Sequence, residues 1–191
     1  MWRALTFTAV FVLLGIACSG SSDREAPLPT FSLSYWAGQV CRSPAPMSIE
    51  LIAPEYDIRF DPERAALNDE YTPQEWTEAT VDLTIRNYHS TGDYLESLRE
   101  PSVATTFHAT LIDGMHRIGD AIDDRRDAIL DAESFEELEV IYAEFQALDS
   151  ELTEELRASA AASPPSVMDA LSGRTGECLE RLRIDSLSAQ D

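Results

Sequence analysis

The stretch VATTFHATLIDGMHRIGDAIDDRRDAIL, residues 103–130, decides the fold. Its apolar residues Phe107, Leu111, Met115, Ile118, Ile122 and Ile129 recur at spacings of three, four and seven, which brings them onto one side of an α-helix. Asp113, Asp120, Asp124 and Asp127 fall on the opposite side. One face is therefore buried and the other wet, and the spacing predicts a single long amphipathic helix over residues 103–130.

Working outward, Glu100-Pro101-Ser102 breaks any helix that precedes it, because proline lacks an amide proton and disfavours helical geometry in the residue before it. Upstream, Thr72-Pro73-Gln74-Glu75 is a helix start. The hydroxyl caps, proline suits the first turn, and Glu75 returns the capping-box bond. That helix is expected to run to about Arg99. Downstream, Ser134-Phe135-Glu136-Glu137 reads as a second capping box. Leu138, Ile141, Tyr142, Phe145, Leu148, Leu152 and Leu156 then form the apolar stripe of a helix to about Ala161, whose outer face is almost all acid. Ser163-Pro164-Pro165 ends it. A short segment through Leu171, a Gly-containing turn at residues 172–176 and a terminal helical piece around Cys178 follow.

On the N-terminal side, the aromatic segment 31–41 is a first short helix. Pro44, Pro46, Pro54 and Pro62, with Pro73 just beyond, interrupt any long element between residues 43 and 71, leaving an irregular excursion with one strand-like piece at Ile49-Glu50-Leu51-Ile52. No internal repeat is visible, and no strand and helix alternate. The fold class is all-α: an antiparallel helical bundle of three long helices plus short terminal helices.

The N-terminus carries one positive charge, at Arg3, and then a run from Ala4 to Ile16 with no charged side chain. This is shorter than the roughly 20 residues a membrane-crossing helix needs, and it fits the apolar region of a signal peptide. The run closes on Leu14-Gly15-Ile16-Ala17-Cys18, which resembles the lipobox of bacterial prolipoproteins, with Gly15 where that family usually has Leu, Val or Ile. The resemblance covers the first 18 residues. It implies transfer of a diacylglyceryl group, whose acyl chains include palmitate, to the Cys18 thiol, followed by cleavage before Cys18. The expected organisation is a signal peptide over 1–17, a flexible tether over 18–29 built on Ser19-Gly20-Ser21-Ser22-Asp23, a single helical domain over 30–185 and a tail over 186–191.

The chain has 35 acidic and 14 basic residues, a net charge of -21. Nucleic acid is excluded as a partner, since phosphate binding depends on clustered Lys and Arg. Direct adhesion to anionic lipid is disfavoured for the same reason, so membrane contact falls to the N-terminal lipid. All the basic residues are arginine. GC-rich coding and adaptation to high salt both account for this composition. The missing lysine removes Schiff-base chemistry, the P-loop and Ser-x-x-Lys acylation.

With Cys18 lipidated, Cys41 and Cys178 remain, and an even remainder in an exported chain predicts a disulfide between them. Neither belongs to a Cys-x-x-Cys pair. His108 and His116 share the helix over 103–130, where they lie about 80° apart at 100° per residue. This puts His108 beside the apolar stripe and His116 on the wet face. Asp113 and Asp120, one turn either side of His116, make weak candidates for a metal site, while the Glu-x-x-His and His-Glu-x-x-His signatures are absent. Asp120, Asp123, Asp124 and Asp127 around Arg125 and Arg126 read as a solvated face with ion pairs, or as a cluster for a cation or basic partner. Trp36, Trp76, Tyr88 and Tyr94 read first as core and second as pocket lining. No nucleophile motif, catalytic residue or cofactor signature is present. The expected role is a non-enzymatic, lipid-anchored domain of the cell envelope, acting through contacts with an envelope protein partner or simply as an envelope component. The alternative is a ligand- or metal-binding lipoprotein using the bundle interior or the acidic face.

Overall fold

The computed structural model describes residues 32–43, 45, 57–66, 71–173 and 176–184. Cys18, with the signal peptide and tether around it, and the strand-like piece at 49–52 lie outside the described residues. Among the described residues the protein is all-helical. In chain order come α1 (Leu33–Val40), a 3-10 turn (Ile58–Phe60), α2 (Pro62–Ala65), α3 (Pro73–Ser97), α4 (Thr105–Asp124), α5 (Arg126–Asp131), α6 (Phe135–Ala162), α7 (Pro165–Ser172) and α8 (Gly176–Arg181). None of these helices is long and apolar enough to cross a membrane.

The start of α3 is built as its sequence demands. The Thr72 hydroxyl accepts from Glu75 N–H at 3.2 Å, and the Glu75 carboxylate accepts from Thr72 N–H at 2.9 Å, which closes the reciprocal box. These bonds hold the Glu75 carboxyl below its ordinary pKa, the backbone bond contributing most. The start of α6 departs from that pattern. Ser134 accepts from Glu137 N–H, but the Glu137 carboxylate reaches one residue further back, to the Glu133 amide at 2.8 Å, so only half of the expected box forms.

A second departure concerns the helix predicted over 103–130, which divides at Arg125 into α4 and α5. The Arg125 amide bonds the Ile122 carbonyl in a tightened turn. No Pro or Gly marks the place, so the local sequence carries no signal. Tertiary anchors on both sides of α5 coincide with the break instead. Arg126 donates to Asp82 at 2.7 Å and Glu78 at 2.9 Å on α3, while Arg59 caps the far end through the carbonyls of Ile129 and Leu130, each at 2.7 Å. Asp57 holds the Arg59 guanidinium in a bidentate pair, accepting from Nε on one oxygen at 3.1 Å and from an Nη on the other at 2.8 Å. The Pro-rich excursion thus contributes an anchor against α5.

One continuous core runs through α1 and α3–α8, with Trp36, Tyr88, Phe107, Leu111, Ile118, Phe145, Leu152, Leu156 and Leu171 among its buried members. Helix α4 packs against both α3 and α6. Pairs across α3 and α4 match His89 with Asp120, Asp93 with His116, and Leu95 with His108, so position along one helix falls as it rises along the other. Across α4 and α6, Arg117 reaches Glu151 and Glu155, and Arg125 reaches Glu144. At the other end, Cys41 after α1 and Cys178 in α8 form a disulfide with Cα atoms 5.1 Å apart, inside the span a disulfide bridges. Beside it Arg181 donates to the Ser43 carbonyl at 2.6 Å.

Candidate functional site

Helices α3 and α4 each carry the pattern His-x-x-Gly-Asp: His89 to Asp93, and His116 to Asp120. A spacing of three or four residues gathers the three side-chain positions on one helix face. The two faces meet reciprocally. The His116 ring lies on Gly92 of α3, and the His89 ring lies on Gly119 of α4; a Cβ added to Gly92 would stand 2.6 Å from the first ring, and one added to Gly119 2.9 Å from the second. Neither glycine has a positive φ. A side chain at either glycine would meet its partner's imidazole where it now lies and oblige that ring to swing aside.

With the rings so placed, His116 Nε2 is 3.9 Å from an Asp93 oxygen, and His89 Nε2 is 3.7 Å from an Asp120 oxygen. The two rings are 5.9 Å apart between centroids and tilted by 36°. Each histidine side chain is about one-third exposed, at 32% for His116 and 35% for His89, so the cluster opens to solvent. Glu96 follows Asp93 by three residues. Its carboxylate, that of Asp93 and the His116 ring nitrogen lie within 4.8 Å of one another. The corresponding position on α4 is Asp123, one methylene shorter.

Of the candidates the sequence nominated, Asp120 belongs to this cluster through His89. His116 faces Asp93, while Asp113 pairs with Arg117 at 3.4 Å. Arg117 also ties α4 to α6 through Glu151 at 2.5 Å and Glu155 at 2.8 Å, interactions that raise its pKa against the opposing effect of burial. Within the acidic run, Arg126 reaches Asp82, whose carboxyl it holds below the ordinary range, and lies 3.6 Å from Asp127, while Arg125 reaches Glu144. Trp36 and Tyr88 are buried in the core, and the Tyr94 hydroxyl donates to Gln39 at 2.7 Å, joining α3 to α1. Sequence reasoning missed His89, Gly92, Asp93, Glu96 and Gly119. The signal was present as two copies of one short pattern, too brief to register as a repeat and meaningful only once the two helices are in register.

His108 is a different kind of histidine. It is buried, its Nδ1 accepts from Trp36 Nε1 at 3.2 Å, and its Nε2 lies 2.9 Å from the Leu95 carbonyl. The indole can only donate, so Nδ1 is unprotonated and Nε2 carries the hydrogen that Leu95 accepts. Burial pushes the imidazole below its ordinary value of 6.5, with the Glu100 charge and the bond to the Leu95 carbonyl opposing. A histidine with a depressed folded pKa binds fewer protons than the unfolded chain just below pH 6.5, so its contribution is complete above that pH and lost as pH falls through the window beneath it. His108→Gln is expected to destabilise the protein near pH 7.5 and to lose less further stability than the wild type on going to pH 5.5. Urea midpoints at the two pH values measure this, and a gap that stays constant would refute the buried neutral imidazole. Comparison with protein-family models, curated proteins and solved structures finds no match.

Proposed function

We propose that this chain is an extracytoplasmic lipoprotein: a disulfide-closed helical domain, held to a membrane by a lipid on Cys18, that works by binding within the cell envelope and not by catalysis. The observation that carries the reading is the Cys41–Cys178 disulfide. It uses both cysteines that remain after Cys18, and stable disulfides belong to oxidising compartments outside the cytosol. The apolar run ending at Cys18 supports the same route.

In this reading the domain spans residues 30–185, and α3, α4 and α6 pack as an antiparallel three-helix core, supported by the order of the cross-helix pairs. The acidic outer face disfavours anionic lipid, so the protein stands off the bilayer on its tether and meets an envelope protein partner. A second reading, an ion-binding lipoprotein, is favoured by the juxtaposition of Asp93, Glu96 and His116.

Expression of the full chain with labelled palmitate in a bacterial host tests the anchor. The wild type is expected to be labelled, shortened and membrane-bound. Cys18→Ser is expected to lose all label and accumulate as unprocessed precursor. Unlabelled wild type, or continued cleavage of the Cys18→Ser chain into a soluble product, would sink the lipoprotein reading.

A further inference from the structure

We propose that the facing His-x-x-Gly-Asp segments of α3 and α4 form a binding site for one first-row divalent transition-metal ion of the zinc class, with His116, Asp93 and Glu96 as its protein ligands. The inference goes beyond the lipid anchor and does not depend on it. Three donors of the right chemistry converge: one imidazole nitrogen and two carboxylates, with their ligand atoms within 4.8 Å of one another. Coordination at roughly 2.0–2.2 Å requires them to close by about an ångström, within reach of small side-chain rotations at an exposed site.

Two features distinguish the cluster from a solvated acidic face. The His116 ring sits in the Gly92 notch, with its Nε2 3.9 Å from an Asp93 carboxylate oxygen. A freely solvated histidine has no such seat. The ligands also come from two helices, so an ion would bridge α3 and α4. Imidazole selects against Mg²⁺ and Ca²⁺, which prefer oxygen donors, and the three protein ligands leave a coordination position open to solvent or to a further ligand. On the α4 side His89 and Asp120 repeat the arrangement, but Asp123 replaces the longer glutamate, and the three do not meet as Asp93, Glu96 and His116 do among the described residues. The pair is therefore asymmetric, with one complete set of ligands.

The test is Zn²⁺ titration by calorimetry of the purified, disulfide-intact chain from residue 19 onward, in about 0.3 M NaCl so that diffuse attraction to the acidic surface is screened. The expected result is one equivalent bound per chain and not displaced by millimolar Mg²⁺. His116→Ala, Asp93→Asn and Glu96→Gln are each expected to weaken binding at least about tenfold. Asp113→Asn, which leaves the three ligands in place, is expected to change it less than about threefold. Circular dichroism of the metal-free variants checks that each remains folded. Absence of saturable binding by the wild type would overturn the proposal, as would unchanged affinity in folded His116→Ala, or equal competition by Mg²⁺.

Discussion

Replacing Cys41 and Cys178 together by alanine is expected to cost up to about 5 kcal/mol of unfolding free energy, the chain-entropy limit for a loop of this size. The link joins residues 137 positions apart and so closes nearly the whole described fold. Alanine is the right replacement. Cys178 is 1% exposed, and a serine there would add the separate penalty of a buried hydroxyl. Native contacts that survive the change bound the loss from the other side. Trp36 and Val40 of α1 and Val167 and Leu171 of α7 remain in the common core, and Arg181 still reaches the Ser43 carbonyl. The described parts of α1 and α8 are short, however, and short terminal elements fray first when a covalent tie is cut. Urea denaturation of the wild type under oxidising and reducing conditions, beside the double variant, measures the effect. A shift below about 1 kcal/mol would mean that packing alone holds the ends together and that the disulfide is dispensable for the fold.

Helix starts and stops were legible at Thr72, Pro101, Ser134 and Pro164 because caps and prolines act within a few residues of themselves. The disulfide was legible from the cysteine count and the export expected of the N-terminal run, without geometry. The division of α4 from α5 at Arg125 was not, since it coincides with Arg59 and Arg126 engaging partners distant in the chain. The histidine cluster was hidden for the same reason. His116 by itself looks like a wet-face residue beside Asp113, and the partners it meets, Gly92, Asp93 and Glu96, are contributed by another helix. Local chemistry was readable and cross-helix register was not.

Phe145→Ala is expected to destabilise the protein by about 3–5 kcal/mol, the usual cost of emptying a buried phenylalanine site. Phe145 is 3% exposed near the middle of α6, and Leu138 and Leu152 stand seven residues to either side on the same buried stripe. That stripe is what α6 offers the core, because its outer face carries Glu136, Glu139, Glu144, Glu151 and Glu154 and gains little from burial. The salt bridges from Arg117 and Arg125 to this helix leave much of their charge in water, where each pair contributes on the order of 0–1 kcal/mol, so they orient α6 more than they hold it. Removing the ring leaves a void that the surrounding core fills only in part. Val140 on the same helix supplies the comparison. It is 66% exposed, and Val140→Ala is expected to change stability by no more than about 0.5 kcal/mol. Urea titrations of both variants with an unchanged slope would separate burial from helix propensity. Near-equal losses at the two positions would show that the apolar stripe of α6 is not what binds it to the rest of the fold.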